Sequence, residues 1–186
     1  MDQSAFAETH VSTRRIYEGK IINVRVDDVL LPNGNEATRE IVEHNGAACV
    51  VPVTDDGKVY MVRQYRYPFA RMVLEIPAGK TDPGESPSDA ANRELEEEIG
   101  MRASELIYMG EFCPSVAYDT EVIHMFLATG LTPSVQHLDD DEFLSVEVYD
   151  LNEVVRMAMD NELIDGKTIA AILKAKRILE TKGANA

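Results

Sequence analysis

Four glutamates occupy five consecutive positions near the middle of the chain, in the segment GKTDPGESPSDAANRELEEEIGM at residues 79–101. They are Glu94, Glu96, Glu97 and Glu98. In a helix, a rotation of about 100° per residue places Glu97 and Glu98 within roughly 60° on either side of Glu94, whereas Glu96 points elsewhere. Carboxylates that converge in this way repel each other, and they suit hard divalent cations such as Mg²⁺. The run therefore indicates a metal-binding helix face, and the alternative is a solvated acidic surface.

Both ends of this helix are marked in the sequence. Ser86 can cap the first turn, Pro87 suits the first helical position, and Gly100 is a good left-handed terminator. We therefore predict a helix from Pro87 to Ile99. An apolar stripe beside the acids can pack on a core. Its members are Ala91, Leu95 and Ile99.

The polar and glycine positions of the segment follow a fixed spacing, G-x5-E-x7-R-E-U-x-E-E-x-G-U, where U is an aliphatic residue. The matching residues are Gly79, Glu85, Arg93, Glu94, Leu95, Glu97, Glu98, Gly100 and Met101. A chance match is on the order of one in 10⁹ per starting point. The segment resembles the Nudix box, the signature of the Nudix hydrolases. Met101 stands where Ile, Leu or Val is commoner.

Composition narrows the class of protein. A chain of 186 residues that is 45% hydrophobic is long enough for one domain with a sizeable core. Its formal charge of −15 argues against a nucleic-acid or anionic-membrane partner. Cys49 and Cys113 lack motif spacing, so we expect core thiols in a reducing compartment rather than a disulfide. The first ten residues contain no apolar signal core and Ala47–Val53 is too short to span a bilayer, so the expected location is cytoplasmic.

The elements before the box divide at Gly46. Residues 1–10 are expected to be a loose tail, and from Thr13 to His44 apolar and polar residues alternate, which predicts three short strands. Pro32-Asn33-Gly34 is a turn signal between two of them. These strands carry few large apolar residues, so the sheet needs a covering surface, and this favours a homodimer. We predict an N-terminal sheet in residues 1–45 and the main domain in residues 46–186.

The remaining elements predict an α+β sandwich, with the acidic helix on one face of a mixed sheet and another helix on the opposite face. The predicted strands are Ala47–Val53, Val59–Tyr65, Leu74–Pro77, Leu106–Phe112, Val122–Leu127 and Ser145–Tyr149. The predicted helices are Asn152–Met159 and Lys167–Thr181, the second capped by Asp165.

Resemblance extends beyond the box to the ADP-ribose pyrophosphatase branch of the Nudix hydrolases, from about Arg14 to Leu179. It is carried by REIVEHNGAACVVPV, VRQYRYPF, EIPAGK, EVIHMFLA and IDGKT. The resemblance implies an α/β/α sandwich preceded by a small antiparallel sheet that swaps across a homodimer. It also implies cleavage of ADP-ribose to AMP and ribose 5-phosphate with Mg²⁺, for which Mn²⁺ can substitute.

The resemblance further implies a role for individual residues. Glu94 and Glu98 would be the principal metal ligands, joined by Glu97 and the carbonyl of Ala78, with Glu85 as an outer ligand. Arg93 would orient the glutamates. Arg66 would bind the diphosphate, and Arg39 and Glu40 would reach the adenosine end across the dimer.

One loop departs from the branch. The branch carries Ser-Pro-Gly and then a catalytic acid after the box, whereas residues 113–121 here read CPSVAYDTE. Pro114 is retained and the glycine is not. Glu121 is the expected loop acid, because it stands where the family's loop glutamate is found, and Asp119 is its rival. Tyr118 lies near the position of a tyrosine in diadenosine polyphosphate hydrolases.

Two alternatives therefore stay open beside ADP-ribose hydrolysis. The first is a pyrophosphatase for dinucleoside polyphosphates or other nucleotide sugars. The second is a Nudix module that binds a nucleotide sugar without cleaving it. Such modules commonly have broken boxes, and the box here is intact.

Overall fold

The computed structural model describes residues 3–140 and 142–183. The contacts within the chain divide it into two compact units. The N-terminal unit contains residues 3–46 together with residues 113–122, and the main unit contains residues 47–112 and 123–183. No helix in the described part of the chain is both long and apolar enough to cross a membrane.

The N-terminal unit is built on an antiparallel sheet of three strands in the order β1-β2-β3. The strands are β1 (Thr9–Glu18), β2 (Asn23–Leu30) and β3 (Glu36–Glu43). The predicted turn between the last two is present, with Gly34 at a φ of 84°. The expected loose tail is wrong for residues 3–5, which form a 3₁₀ turn, and for Thr9 and His10, which already pair with β2. Residues 1 and 2 of that tail lie outside the described residues. Every residue of β1 is exposed.

The main unit contains two sheets. A mixed sheet of four strands has the order β7-β4-β9-β8, in which β4 and β9 are parallel and the other pairs are antiparallel. A second sheet of three antiparallel strands has the order β10-β5-β6. The strands are β4 (Ala47–Pro52), β5 (Lys58–Arg66), β6 (Arg71–Glu75), β7 (Ala78–Lys80), β8 (Met101–Phe112), β9 (Ile123–Pro133) and β10 (Leu144–Asp150).

Three helices complete the main unit: α1 (Pro87–Ile99), α2 (Leu151–Met159) and α3 (Gly166–Gly183). Strand β4 is buried along its whole length, because alternate side chains enter two different cores. Ala48 and Val50 pack with the apolar stripe of α1, whereas Cys49 and Val51 pack with α2 and α3. Helices thus cover both faces of the mixed sheet, and the predicted α+β sandwich is confirmed.

The strand bounds differ from the prediction beside the box. β6 begins at Arg71 and ends at Glu75, so Pro77 lies outside it, and Pro77 has no backbone N–H to contribute to a ladder. Ala78 and Gly79 lie in the short strand β7, which the sequence did not predict and which pairs with β4. β8 starts at Met101, directly after α1, five positions before the predicted start.

The two cysteines have different environments. Cys49 is buried and free, and burial raises the pKa of its thiol to about 12. Cys113 is also free but exposed, because it follows the last residue of β8 at the surface. The expected absence of a disulfide agrees with this, whereas the expectation of a core thiol is wrong for Cys113.

Candidate active site

Helix α1 begins and ends where its caps predict. The Ser86 hydroxyl accepts a hydrogen bond from the Asp89 N–H at 3.2 Å, and Pro87 follows as the first helical residue. Gly100 terminates the helix at a φ of 65°, and its N–H donates to the Glu96 carbonyl at 2.9 Å. Because the bounds fix the rotation of the helix, they also fix the side to which each glutamate points.

Glu94 and Glu98 point into the protein. Glu94 is 6% exposed and Glu98 is 3% exposed. Burial raises the pKa of Glu94 to about 7, against the opposing effect of Arg93, and burial together with the Glu94 charge raises the pKa of Glu98 well above its usual value. Glu96 lies on another side of the helix, where its carboxylate accepts from Arg102 at 2.9 Å.

Arg93 donates hydrogen bonds to three carboxylates. Its Nε and Nη2 donate to Glu85 at 2.9 and 3.1 Å. Its Nη1 donates to Glu94 and to Glu97, both at 2.8 Å. The guanidinium therefore links the loop before α1 to two of its acids.

A close approach between β7 and α1 completes this region. The Ala78 N–H donates to Glu98 Oε2 at 3.1 Å. At Gly79, an added Cβ would lie 1.8 Å from Glu94 Oε1, so only a glycine leaves room for this carboxylate. The glycine at position 79 of the box thus has a steric cause.

The residues at this place fit a hard divalent cation. Glu98 is buried, and no Lys, Arg or His of residues 3–140 and 142–183 forms an ion pair with it. A buried carboxylate without a partner is costly, and a bound cation removes that cost. The acids do not form a closed site, because no three His, Cys, Asp or Glu side chains in the described ranges are grouped to hold a metal by themselves. Arg93 occupies oxygens of Glu85, Glu94 and Glu97.

The sequence reasoning missed Glu142. Burial is the main reason why the pKa values of Glu94 and Glu98 are raised, and the negative charge of Glu142, which lies outside α1, adds to both shifts. The segment that carries it is fixed to the end of α1, because the Gln136 Nε2 donates to the Glu98 carbonyl at 2.6 Å and the His137 N–H donates to the Glu97 carbonyl at 3.0 Å. The available signal was the acidic run DDDE at residues 139–142, which follows no helical or strand period.

Arg66 lies at the end of β5 in the same unit. Its Nε and Nη2 donate to the two Glu75 oxygens at 2.6 and 2.8 Å. Hydrogen bonding to Glu75 raises the pKa of Arg66, and the charge of Glu98 adds to this effect. Arg66 also lines a cavity of about 370 Å³, together with Phe69 and Lys167 among others.

The other predicted residues belong to the N-terminal unit. Arg39 forms an ion pair with Glu8 and is partly exposed, whereas its neighbour Glu40 is exposed on the opposite face of β3. The Glu121 N–H donates to Asp119 Oδ1 at 2.9 Å, and its carboxylate lies 3.6 Å from His44 Nδ1.

The loop that carries these two acids is held on β3. The Val42 N–H donates to the Tyr118 carbonyl at 2.7 Å, and the Thr120 N–H donates to the Val42 carbonyl at 3.0 Å. Of the predicted residues, the structure brings together Ala78, Glu85, Arg93, Glu94, Glu97 and Glu98. It places the predicted loop acid in a different unit from α1.

Comparison with protein families gives two adjacent matches. Residues 43–172 match the NUDIX domain. Residues 8–42 match the nucleoside diphosphate sugar hydrolase N-terminal domain. The two matches together cover residues 8–172, which lie in both units.

Individual relatives resemble the chain over most of its length. An ADP-ribose pyrophosphatase of Bacillus subtilis (strain 168) is 41% identical over 179 residues, which cover 94% of this chain and 97% of the relative. A methanol dehydrogenase activator of Bacillus methanolicus is 38% identical over 90% of this chain and 91% of the relative. A crystal structure of an ADP compounds hydrolase has the same fold, with a TM-score of 0.84, 24% identity, and coverage of 95% of this chain and 96% of that chain.

Proposed function

This chain belongs to the Nudix family of hydrolases, and from that premise we propose that it cleaves ADP-ribose to AMP and ribose 5-phosphate with Mg²⁺. The observation that carries the reaction type is the buried pair Glu94 and Glu98, of which Glu98 has no ion-pair partner in the described part of the chain. The support for the substrate is the 41% identical ADP-ribose pyrophosphatase. A diphosphate is an anion, and a chain with a net charge of −15 repels it. Bound cations would overcome this repulsion at the site.

Glu94 and Glu98 would hold the metal, joined by Glu97 and the carbonyl of Ala78, with Glu85 farther out. A divalent cation held by these residues would neutralise charge on the diphosphate and would make the attacking water easier to deprotonate. Arg93 keeps the acids in place through its hydrogen bonds to Glu85, Glu94 and Glu97. Mn²⁺, which accepts the same oxygen ligands, should substitute.

Two acids compete for the task of accepting the proton of the attacking water. The family resemblance favours Glu121, which is held beside His44 in the N-terminal unit. The electrostatics favour Glu142, whose charge adds to the raised pKa values of Glu94 and Glu98 and which belongs to the main unit. A general base must come within hydrogen-bond reach of the proton that it accepts.

The assignment of the base can be tested by three isosteric changes measured by kcat. Glu142→Gln should lower kcat by about 10²-fold or more if this residue is the base, since general base catalysis contributes about 10²–10⁴-fold. Glu121→Gln should then have a small effect, and so should Asp119→Asn, the change at the rival loop acid. A large loss at Glu121 alone would restore the assignment made from the sequence.

We propose that the active protein is a homodimer. All ten residues of β1 are exposed, including Val11, Ile16 and Tyr17, each more than half exposed. An exposed strand that carries apolar side chains favours association with another chain. Because Arg39 and Glu40 point to opposite faces of β3, only one of them would contact the adenosine end in such a dimer.

The substrate is tested by comparing kcat/KM over a panel of diphosphates in millimolar Mg²⁺, because this ratio measures discrimination. The panel contains ADP-ribose, other ADP-sugars, GDP-sugars, NADH, a diadenosine polyphosphate and a nucleoside triphosphate. We expect ADP-ribose to be hydrolysed best and EDTA to abolish the activity. A tenfold preference for the diadenosine polyphosphate would refute the substrate and make Tyr118 the residue to test. Binding of ADP-ribose without release of AMP would instead indicate the non-catalytic module.

A further inference from the structure

A network of four charged side chains, centred on the buried Glu75, lies at the cavity beside Arg66. Arg66 donates two hydrogen bonds to Glu75, at 2.6 and 2.8 Å. The Lys167 Nζ donates to Glu75 Oε2 at 2.5 Å and to Asp165 Oδ2 at 2.9 Å. Arg66 ends β5, Glu75 ends β6, and the other two residues lie at the start of α3.

Glu75 is the centre of this network and needs both cations. It is 3% exposed, and the Lys167 side chain is 12% exposed. A buried carboxylate is tolerated only when it is paired and hydrogen-bonded, and removing one partner leaves an uncompensated charge. Burial by itself raises the pKa of Glu75, but hydrogen bonds and charge from Arg66 and Lys167 lower it by more. The carboxylate is therefore ionised at neutral pH.

The bonds to Glu75 leave one edge of the Arg66 guanidinium for another ligand. Nε and Nη2 are engaged, whereas Nη1 makes no hydrogen bond to any described residue. The side chain is 41% exposed and borders the cavity of about 370 Å³, whose rim includes Phe69 and Ile164. A planar guanidinium with one edge fixed presents its remaining donors in one direction, which suits two oxygens of a phosphate.

The same network is joined to the backbone that contacts the acidic helix. Asp165 Oδ2 also accepts from the Thr168 hydroxyl at 2.5 Å, and that hydroxyl accepts from the Ile76 N–H at 3.0 Å. Two residues farther along, the Ala78 N–H bonds to Glu98 at 3.1 Å. The start of α3 thus fixes both the arginine and the segment that touches the buried acid.

We propose that Glu75 and Lys167 are positioning residues, which hold the Arg66 guanidinium so that its Nη1 edge binds a phosphate of the substrate. This inference deepens the proposed function and rests on it, because it takes a diphosphate as the substrate. Lys167 acts through Glu75 and does not itself touch the phosphate.

The decisive experiment is a double-mutant cycle between Lys167 and Arg66, measured by kcat/KM for ADP-ribose. Lys167→Met should lower kcat/KM by about 10- to 100-fold, mostly through KM, since small misplacements of a binding group cost this much. In the Arg66→Ala background, Lys167→Met should have less than a twofold further effect. Additive losses would overturn the inference, because Lys167 would then act independently of Arg66.

Two controls separate positioning from folding. Lys176→Met changes the same residue type on the same helix, where the amine bonds to the exposed Asn152, and should leave kcat/KM unchanged. Lys167→Arg retains the charge and the donors, so it should recover most of the activity. If Lys167→Met lowers the melting temperature and Lys167→Arg restores stability without restoring KM, the positioning role is refuted.

A binding measurement, which does not depend on turnover, distinguishes failure of the proposed function from failure of this inference. Calorimetric titration with inorganic pyrophosphate is repeated for the wild type, Lys167→Met and Arg66→Ala. A wild type that binds pyrophosphate but hydrolyses no member of the panel would refute the proposed function, and the inference would still be decided by whether Lys167→Met weakens binding through Arg66. A wild type that does not bind pyrophosphate would overturn the inference as well.

Discussion

Replacing Gly79 with alanine should disable the enzyme without unfolding it. An added Cβ would lie 1.8 Å from Glu94 Oε1 and 2.2 Å from its carboxyl carbon, whereas real contacts of this kind are essentially never shorter than 3.0 Å. The carboxylate must therefore move by about 1.2 Å, away from its hydrogen bond with Arg93. A misplacement of about 1 Å at a reacting centre costs about 10²-fold in rate, so we expect kcat to fall about 100-fold. The displaced atoms end a flexible side chain, which keeps the cost in stability small.

The assay compares kcat in saturating Mg²⁺ with the melting temperature, for Gly79→Ala and for a control glycine in the loop that follows β7. Gly84 has a φ of 83° and nothing within 4 Å of an added Cβ. Gly84→Ala should therefore lose stability, by about 1–2 kcal/mol for a left-handed residue, while it retains kcat. A kcat for Gly79→Ala within threefold of the wild type would refute the steric argument. So would a loss of stability larger than that of the control.

Three further predictions concern helix α1, the N-terminal sheet and the charged network around Glu75. Glu98→Gln should lower kcat by about 10²-fold or more, whereas Glu96→Gln should be nearly silent, and equal losses would contradict the assignment of faces. Light scattering should give the mass of two chains, and removing residues 1–44 should weaken substrate binding; a fully active single chain would exclude the dimer. The neighbours of Glu75 lower its pKa in the folded protein below the usual value of 4.5. The stability that Glu75 contributes is therefore complete above pH 4.5 and is lost as the pH falls through its pKa in the folded protein. In a plot of melting temperature against pH, Glu75→Gln should therefore reduce the fall on the acid side. An unchanged fall would contradict this.

The acidic helix could be predicted because its determinants are local in sequence. Ser86, Pro87 and Gly100 mark its ends within a few residues, and the period of the helix then separates Glu96 from the other acids. Strand ends lacked such signals. β8 extends back to Met101 because its first residues pair with β9 although they are half-buried or exposed and carry little apolar pattern.

Partners that come together only through the fold could not be predicted. Glu75 meets Arg66 because β5 and β6 pair in a particular register, and meets Lys167 across 92 positions of sequence. The charge of Glu142 acts on the buried acids, and the segment before it is bound to the end of α1 by the Gln136 side chain and the His137 N–H, contacts that no sequence pattern announces. The steric need for Gly79 likewise depends on the approach of β7 to the helix.

The contrast between the two cysteines offers a practical route to the loop acids. Only a thiolate reacts with maleimides and similar reagents, and Cys49 is fully buried with a pKa of about 12, whereas Cys113 is exposed. A fluorophore or spin label added to the natural protein will therefore attach at one position. That position begins the segment that carries Asp119 and Glu121, so the label will report on the motion of this segment during catalysis without any engineered cysteine.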